Sequence, residues 1–450
     1  MRTALALLLA AALSAGCAGF GTRQAPYRTG EKPGFPKLGA ALPAGGTAFS
    51  DASLAAVFTT LAFDFEWGAA RPGLVRLAAP VRVGLEGAGA EQYGAFLAGY
   101  LRFLAQGTGI DIAPAGAAAD GAAANLHVRL VDGVAFAQVL PGAACVVAPG
   151  EVAWSAMRSD PSGYGGDAMA AVRDLAEVTV FIPDDAAPHQ IRGCLIEEVA
   201  QALGLVNDLY GLGPSIFNDD AAHLWPTALD LMMLRVLYAP ELVPGMDRGA
   251  AEAAARQALA RLNPAGQAAP DLRLVPDAAL GDWRALAQKV HRRDAEPATR
   301  EARARAALDL VSARAPGSPQ HCLGLTTLGR ALSLTRPAEA AGVLAEARAL
   351  CARVHGPGDI RLARLGLDQA IAHLRAGDAR AALAAAGGVE AALADHAQDE
   401  ALATLYAVRA RAYRALQQGE RAFEAQRRAA EWGAYAFGAD NAALARALAR

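Results

Sequence analysis

The segment that most constrains this chain runs from Cys194 to Asp208 and reads Cys-Leu-Ile-Glu-Glu-Val-Ala-Gln-Ala-Leu-Gly-Leu-Val-Asn-Asp. It predicts a helix that carries Glu197, Glu198 and Gln201. Residues 197 and 201 are four apart, so their side chains share one face. Gly204 permits the left-handed turn that ends the helix and brings Asn207, with Asp208 beside it, back toward that face. Three polar groups, at 197, 201 and 207, are therefore expected to converge.

Upstream of this helix the pattern is mixed. Val81 to Leu85 alternates as a strand does, Asn125 to Val131 places Leu126, Val128 and Leu130 on one face, Leu175 to Ile182 forms another strand, and Cys145-Val146-Val147 a shorter one between them. Ala90 to Gln106 sets Tyr93, Phe96, Leu97, Tyr100, Leu101 and Leu104 on one face of a helix that Gly107-Thr108-Gly109 stops. From about residue 189 onward the pattern is helical. Four hundred and fifty residues exceed one domain, so two or three are expected. A balance of 42 basic against 45 acidic residues excludes the basic footprint of a nucleic-acid binder. Hydrophobic residues make up 54% of the chain but aromatics only 6%, which points to alanine-rich helices rather than membrane spans.

Thr335, Gly377 and Gly419 align at a 42-residue period, each at a turn between two alanine-rich amphipathic helices. A repeated helical hairpin of this kind resembles tetratricopeptide-type repeats, although the period is longer than that family's 34. The fold expected is thus an α+β domain, with a mixed sheet and one central helix, followed by an all-α domain of helical hairpins.

Met1-Arg2, the apolar run Ala4 to Leu13 and Ser14-Ala15-Gly16-Cys17 read as a secretory signal, too short to span a bilayer. The last four residues resemble the bacterial lipobox, which implies acylation of Cys17 and a protein anchored in the cell envelope. Ala18 after the cysteine favours the outer membrane, facing the periplasm. Residues 17–48, rich in glycine and proline, form a tether. The remaining boundaries are 1–16 for the signal, 49–246 for the α+β domain, 247–300 for a helical or irregular linker and 301–450 for the repeats. In an oxidising compartment Cys145, Cys194, Cys322 and Cys351 allow three pairings. Pairing within domains gives Cys145–Cys194 and Cys322–Cys351, with buried free thiols as the alternative.

The central segment resembles the metzincin signature HExxHxxGxxH, whose histidines hold zinc and whose glutamate activates water. Glu198 and Gly204 match; Glu197, Gln201 and Asn207 stand at the ligand positions. The resemblance implies that Ser215-Ile216-Phe217-Asn218 is the counterpart of the methionine turn, with Phe217 in the methionine's place, and that Asp230, Leu237 and Tyr238 belong to the closing helix. The wording Cys194 to Asp208, Ser215 to Asp220 and Leu237 to Met246 is similar to the bacterial secreted family known as domain of unknown function 2927. That family implies a zincin-like fold and no established activity.

Amides are poor zinc donors, so replacement of the three imidazoles removes the zinc reading, and His127, His189 and His223 show no spacing that restores it. No cofactor is therefore expected. A hard cation (calcium, magnesium or manganese) is the compatible alternative, through Glu197, Glu198 and Asp208 with Asp219 or Asp220. Two functions follow. The first is a lipid-anchored envelope protein whose degenerate peptidase-like domain and helical repeats bind a protein or peptide. The second is an atypical hydrolase with Glu198 as general base and Glu197, Gln201, Asn207 or Asp208 around a cation other than zinc.

Overall fold

The structure, a computed structural model, describes residues 47–66, 68–116, 121–164, 166–272, 274–290 and 295–438. The expected signal segment, Cys17 and the tether as far as residue 46 lie outside the described residues.

The N-terminal part is α+β. Strands β1 (Val81–Gly87), β2 (Ile112–Pro114), β3 (Leu126–Val131), β4 (Val146–Pro149) and β5 (Val178–Pro183) form one sheet in the order β2-β1-β3-β5-β4. β2, β1, β3 and β5 are parallel, and β4 joins the edge antiparallel to β5. Parallel neighbours cannot be linked by a hairpin, so the chain crosses from β1 to β2 through the helix Gly94–Thr108. β5 is covered on both faces, and its sequence is accordingly a near-continuous apolar run. The one polar side chain in that run, Thr179, is satisfied: its hydroxyl donates to Gly150 O at 2.8 Å and accepts from Val152 N at 2.9 Å.

Two helices lie over one face of the sheet, Gly94–Thr108 and the central helix Pro188–Ala202. They are tied together where Tyr100 Oη donates to Ile196 O at 2.7 Å. On the opposite face Phe136, Met157 and Phe181 form a second cluster, with Trp154 stacked on Phe136 and tilted against Phe181. A disulfide joins Cys145, just before β4, to Cys194 of the central helix, with the Cα atoms 6.1 Å apart. The helix ends at Gly204, whose φ is +135°; a Cβ there would lie 2.6 Å from Val75 O, so the position excludes any side chain.

The segment 247–300 differs from the expected linker. The helix Arg248–Leu262 packs on the N-terminal helix Asp51–Phe63. Asn263, fully buried, accepts from Thr47 N and donates to Phe49 O, while Ser50 N reaches Pro270 O and Leu272 N reaches Ser53 Oγ. The α+β unit thus extends through Leu272, because its first helix needs this returning chain to bury its apolar face.

Beyond it the chain is helical, from Pro297–Arg314 through Gly419–Phe437. The turns at 333–336 and 376–378 contain Thr335 and Gly377 as expected, whereas the third, at 416–418, ends before Gly419, which opens the last helix, so the second spacing is shorter than 42 residues. Prolines 297, 319 and 337 occupy first-turn positions, where the missing N–H costs nothing. The middle hairpin departs from its neighbours: its second helix is interrupted at Gly387-Gly388, where Gly388 has φ +74°. A second disulfide, Cys322–Cys351, ties helix Pro319–Leu332 to Pro337–His355 with a Cα separation of 5.3 Å.

The helical module does not stand apart from the α+β unit. Arg192 of the central helix forms a buried ion pair with Asp399 at 3.3 Å, donates to Tyr435 O at 3.0 Å and lies 3.8 Å from the Tyr435 ring centre. His189 Nδ1 meets Ala436 O at 2.8 Å. On the other side of the helix, Gln398 donates to Ala222 O at 2.9 Å, and Arg361 reaches both Asp220 at 2.6 Å and Gly213 O at 3.1 Å.

Candidate functional site

The last turns of the central helix carry Glu197, Glu198 and Gln201, and the chain then reverses at Gly204 and runs back along the end of helix Asp51–Phe63. Val206 and Asn207 both donate their amides to Leu61 O. The expected convergence is realised only in part. Gln201 Nε2 donates to Asp208 Oδ2 at 2.6 Å, so it is Asp208 that returns to the helix. The Asn207 side chain turns the other way and donates to Thr60 O at 3.1 Å. The reason is a contact with a distant segment: the amides of residues 206 and 207 are held on Leu61 O, and consecutive side chains of this extended stretch point to opposite sides.

Two further carboxylates face the same space. Glu66 follows the N-terminal helix, and Asp219 stands in the loop after the buried turn Ser215–Asn218. Carboxylate oxygens of Glu66, Asp208 and Asp219 lie within 4.8 Å of one another. Burial, reinforced by Asp219 and Glu66, pushes the Glu197 carboxyl up to about 8. Burial also lifts Glu198 far above the usual range, with Glu197 and Glu66 adding to it. Asp208 is raised in the same way by burial and then by Glu197, Glu66 and Asp219. Burial and their mutual proximity thus bias these three carboxyls toward the protonated form, in which Glu198 cannot accept a proton from water.

Arg284 enters this acidic space from the helix Trp283–Val290, in the segment expected to be a linker. Its Nη2 donates to Glu66 at 2.8 Å and to Asp219, its Nη1 donates to Asp208 O at 3.1 Å, and its guanidinium lies 5.0 Å from the centre of the Tyr210 ring. Trp283, fully buried, meets the other side of this arrangement, with its ring 5.2 Å from that of Tyr210.

The turn below the site is held by Asp230. Its carboxylate accepts from Ser215 Oγ, from Ile216 N at 3.1 Å, and from Thr227 N at 2.7 Å and Thr227 Oγ1 at 3.0 Å. Burial still leaves the group raised to about 6, against the pull of these donors. Phe217 is fully buried in the main core, and Tyr238 Oη donates to Leu77 O at 2.7 Å. Asp220 is removed from the nest by its pairing with Arg361.

The donor set does not fit zinc. The Gln201 and Asn207 amides are donating to Asp208 and to a backbone carbonyl, Asn207 points away, and no imidazole among the described residues enters the nest. His223 lies instead in the contact with the helical module, 3.9 Å from Asp359 and with its ring 6.1 Å from that of His396. His127 groups with Glu151 and Glu177 beside the β4–β5 edge.

Glu66 and Arg284 are the members that sequence reasoning missed. Glu66 left a faint signal as a charge interleaved in an apolar run. Arg284 left none, because it reaches the site only through the path of the chain between the two units.

Fold and site together define a two-part protein: an α+β unit with a five-stranded mixed sheet and a cluster of carboxyls of which Asp208 is buried, followed by a helical C-terminal region. Residues 51–257 match the model of a family described as Protein of unknown function (DUF2927). No curated protein and no solved structure matches the chain.

Proposed function

We propose that this is a lipid-anchored protein of the bacterial envelope in which a zincin-like domain has lost peptide hydrolysis and, with its tetratricopeptide-like module, serves to bind a protein or peptide partner. The zincin assignment draws support from the single antiparallel edge strand, the central helix ending at Gly204 and the buried turn at Phe217 beneath it. The repeat assignment draws support from successive helix pairs whose turns lie about 40 residues apart, with helices opening after Arg336, Asp378 and Gln418.

One observation carries the loss of catalysis. Of the three positions that match metal ligands in the resemblance, Gln201 and Asn207 hold internal hydrogen bonds as donors, and an arginine pairs with Glu66 and Asp219. Without an activated water, a carboxyl that burial pushes toward its protonated form gives little help against a peptide bond.

The test is a peptide-library cleavage assay on the full chain as isolated and with zinc, calcium or manganese added, run beside Glu198→Gln. No cleavage under any condition is expected. Turnover that disappears in the folded Glu198→Gln protein overturns the proposal. The anchor is tested by metabolic palmitate labelling, which Cys17→Ser must abolish.

A further inference from the structure

We propose that the nest formed by Glu66, Asp208 and Asp219 is a site for one hard divalent cation of the calcium or manganese class, which the Arg284 guanidinium holds shut. The proposal rests on the preceding reading for the site's lack of hydrolytic chemistry, and it adds a ligand and a means of regulation.

Oxygens around calcium sit 2.3–2.6 Å from the ion, so ligands on opposite sides of one ion are about 5 Å apart. The three carboxylates here, all within 4.8 Å of one another, satisfy that limit with no movement of the backbone. The Asp208 carboxylate is the decisive member. It is 5% exposed; its Oδ2 takes the Gln201 amide, while its Oδ1 is buried and has no hydrogen-bond partner. That carboxyl faces Glu66, and two acceptors facing each other need a proton or a cation between them.

Arg284 meets this need incompletely. Its fork neutralises Glu66 and Asp219 but reaches only the main-chain carbonyl of Asp208. A guanidinium is a fixed planar cation, whereas a divalent ion can draw all three carboxylates to one centre. The two are mutually exclusive occupants of the same space.

The exchange has a mechanical consequence. Arg284 follows Trp283, which is packed with Tyr210, Ala307 and Val311, so the helix that delivers the guanidinium is part of the contact with the first helix of the C-terminal region. Entry of a cation expels Arg284 and loosens that contact. The site thus couples cation concentration to the seating of the helical module on the α+β unit.

The experiment titrates manganese(II) alone into the full chain, stripped of metal, with free ion followed by electron paramagnetic resonance. The proteins are wild type, Arg284→Met, Arg284→Gln and Arg284→Met combined with Asp208→Asn. One ion per chain is expected in both single variants, bound at least tenfold tighter than in wild type, with the gain lost when Asp208 is replaced. Equal binding in wild type and in the folded Arg284 variants overturns the proposal, as does tight binding that survives Asp208→Asn. A variant that folds only when manganese is present supports it; one that folds neither with nor without manganese overturns it. Peptide cleavage by a manganese-loaded Arg284 variant would sink the non-hydrolytic reading and leave the cation site standing, so the two failures are distinct.

Discussion

Replacing Arg192 tests whether the helical module is truly part of the folded unit. The guanidinium is 6% exposed and its partner Asp399 10% exposed, and the same group donates to Tyr435 O and lies on the Tyr435 ring. Arg192→Met keeps most of the volume but strands a carboxylate in a contact from which water is excluded. Removing one partner of a buried pair costs about 3–5 kcal/mol, mostly as the penalty on the charge left behind. The cation–π contact contributes about 1–2 kcal/mol of the same loss. In Arg192→Met/Asp399→Leu both charges go, so the double variant should recover at least half of the loss. Urea unfolding, followed by tryptophan fluorescence and by far-ultraviolet circular dichroism, supplies the free energies. Wild type should unfold with coincident transitions, and Arg192→Met with separated ones as the module detaches before the sheet domain opens. A single variant within 1 kcal/mol of wild type refutes the reasoning, and so does a double variant whose loss equals the sum of the two single losses.

His355 is held down to about 4 by burial and then by Arg361, against Asp359 and Asp220, and burial with Arg361 also lowers His223. A histidine whose folded value lies below 6.5 stabilises the fold above that pH and loses the contribution as pH falls toward 4. For His355 this is about 3 kcal/mol, and His355→Asn should flatten the urea midpoint against pH over that range. Glu197 has the opposite sign: raised from 4.5 to about 8, it favours the fold at low pH and loses that contribution as pH rises through 8. In metal-free buffer Glu197→Gln should match wild type at pH 4.5 and be more stable at pH 8.5; equal stability at the higher pH would refute the burial of that carboxyl. Reducing the disulfides, across sequence separations of 49 and 29, should lower stability by about 4 and about 3.5 kcal/mol in the chain-entropy account, measured with Cys145→Ser/Cys194→Ser and Cys322→Ser/Cys351→Ser. Asp230→Ala leaves the donors of Ser215, Ile216 and Thr227 without an acceptor and should cost about 3–5 kcal/mol in thermal unfolding; a loss below 1 kcal/mol would mean the turn is held by something else.

What the sequence made legible is what local periodicity encodes. Leu126, Val128 and Leu130 alternate because β3 has one well-packed face, and the glycine at 204 stands where a Cβ would strike Val75 O. The turns at 333–336, 376–378 and 416–418 repeat because each hairpin poses the same problem of burying an alanine-rich stripe, and the sequence alignment locates the first two and misses the third by a residue. What it concealed depends on contacts between distant segments. Spacing on a helix relates Glu197 to Gln201, but past Gly204 nothing in the sequence says whether Asn207 or Asp208 faces inward; the bonds of residues 206 and 207 to Leu61 O decide it, from a helix far earlier in the chain. The same holds for charge. Asp208, Asp219 and Asp220 belong to one candidate ligand set in the sequence, and the fold divides them: Asp220 goes to Arg361 in the module, Asp219 to Arg284 in the linker, and Asp208 keeps a buried carboxylate oxygen without a hydrogen-bond partner. A motif therefore locates the helix that bears a site, while the chemistry left in that site is set by which distant arginine the rest of the chain delivers to it.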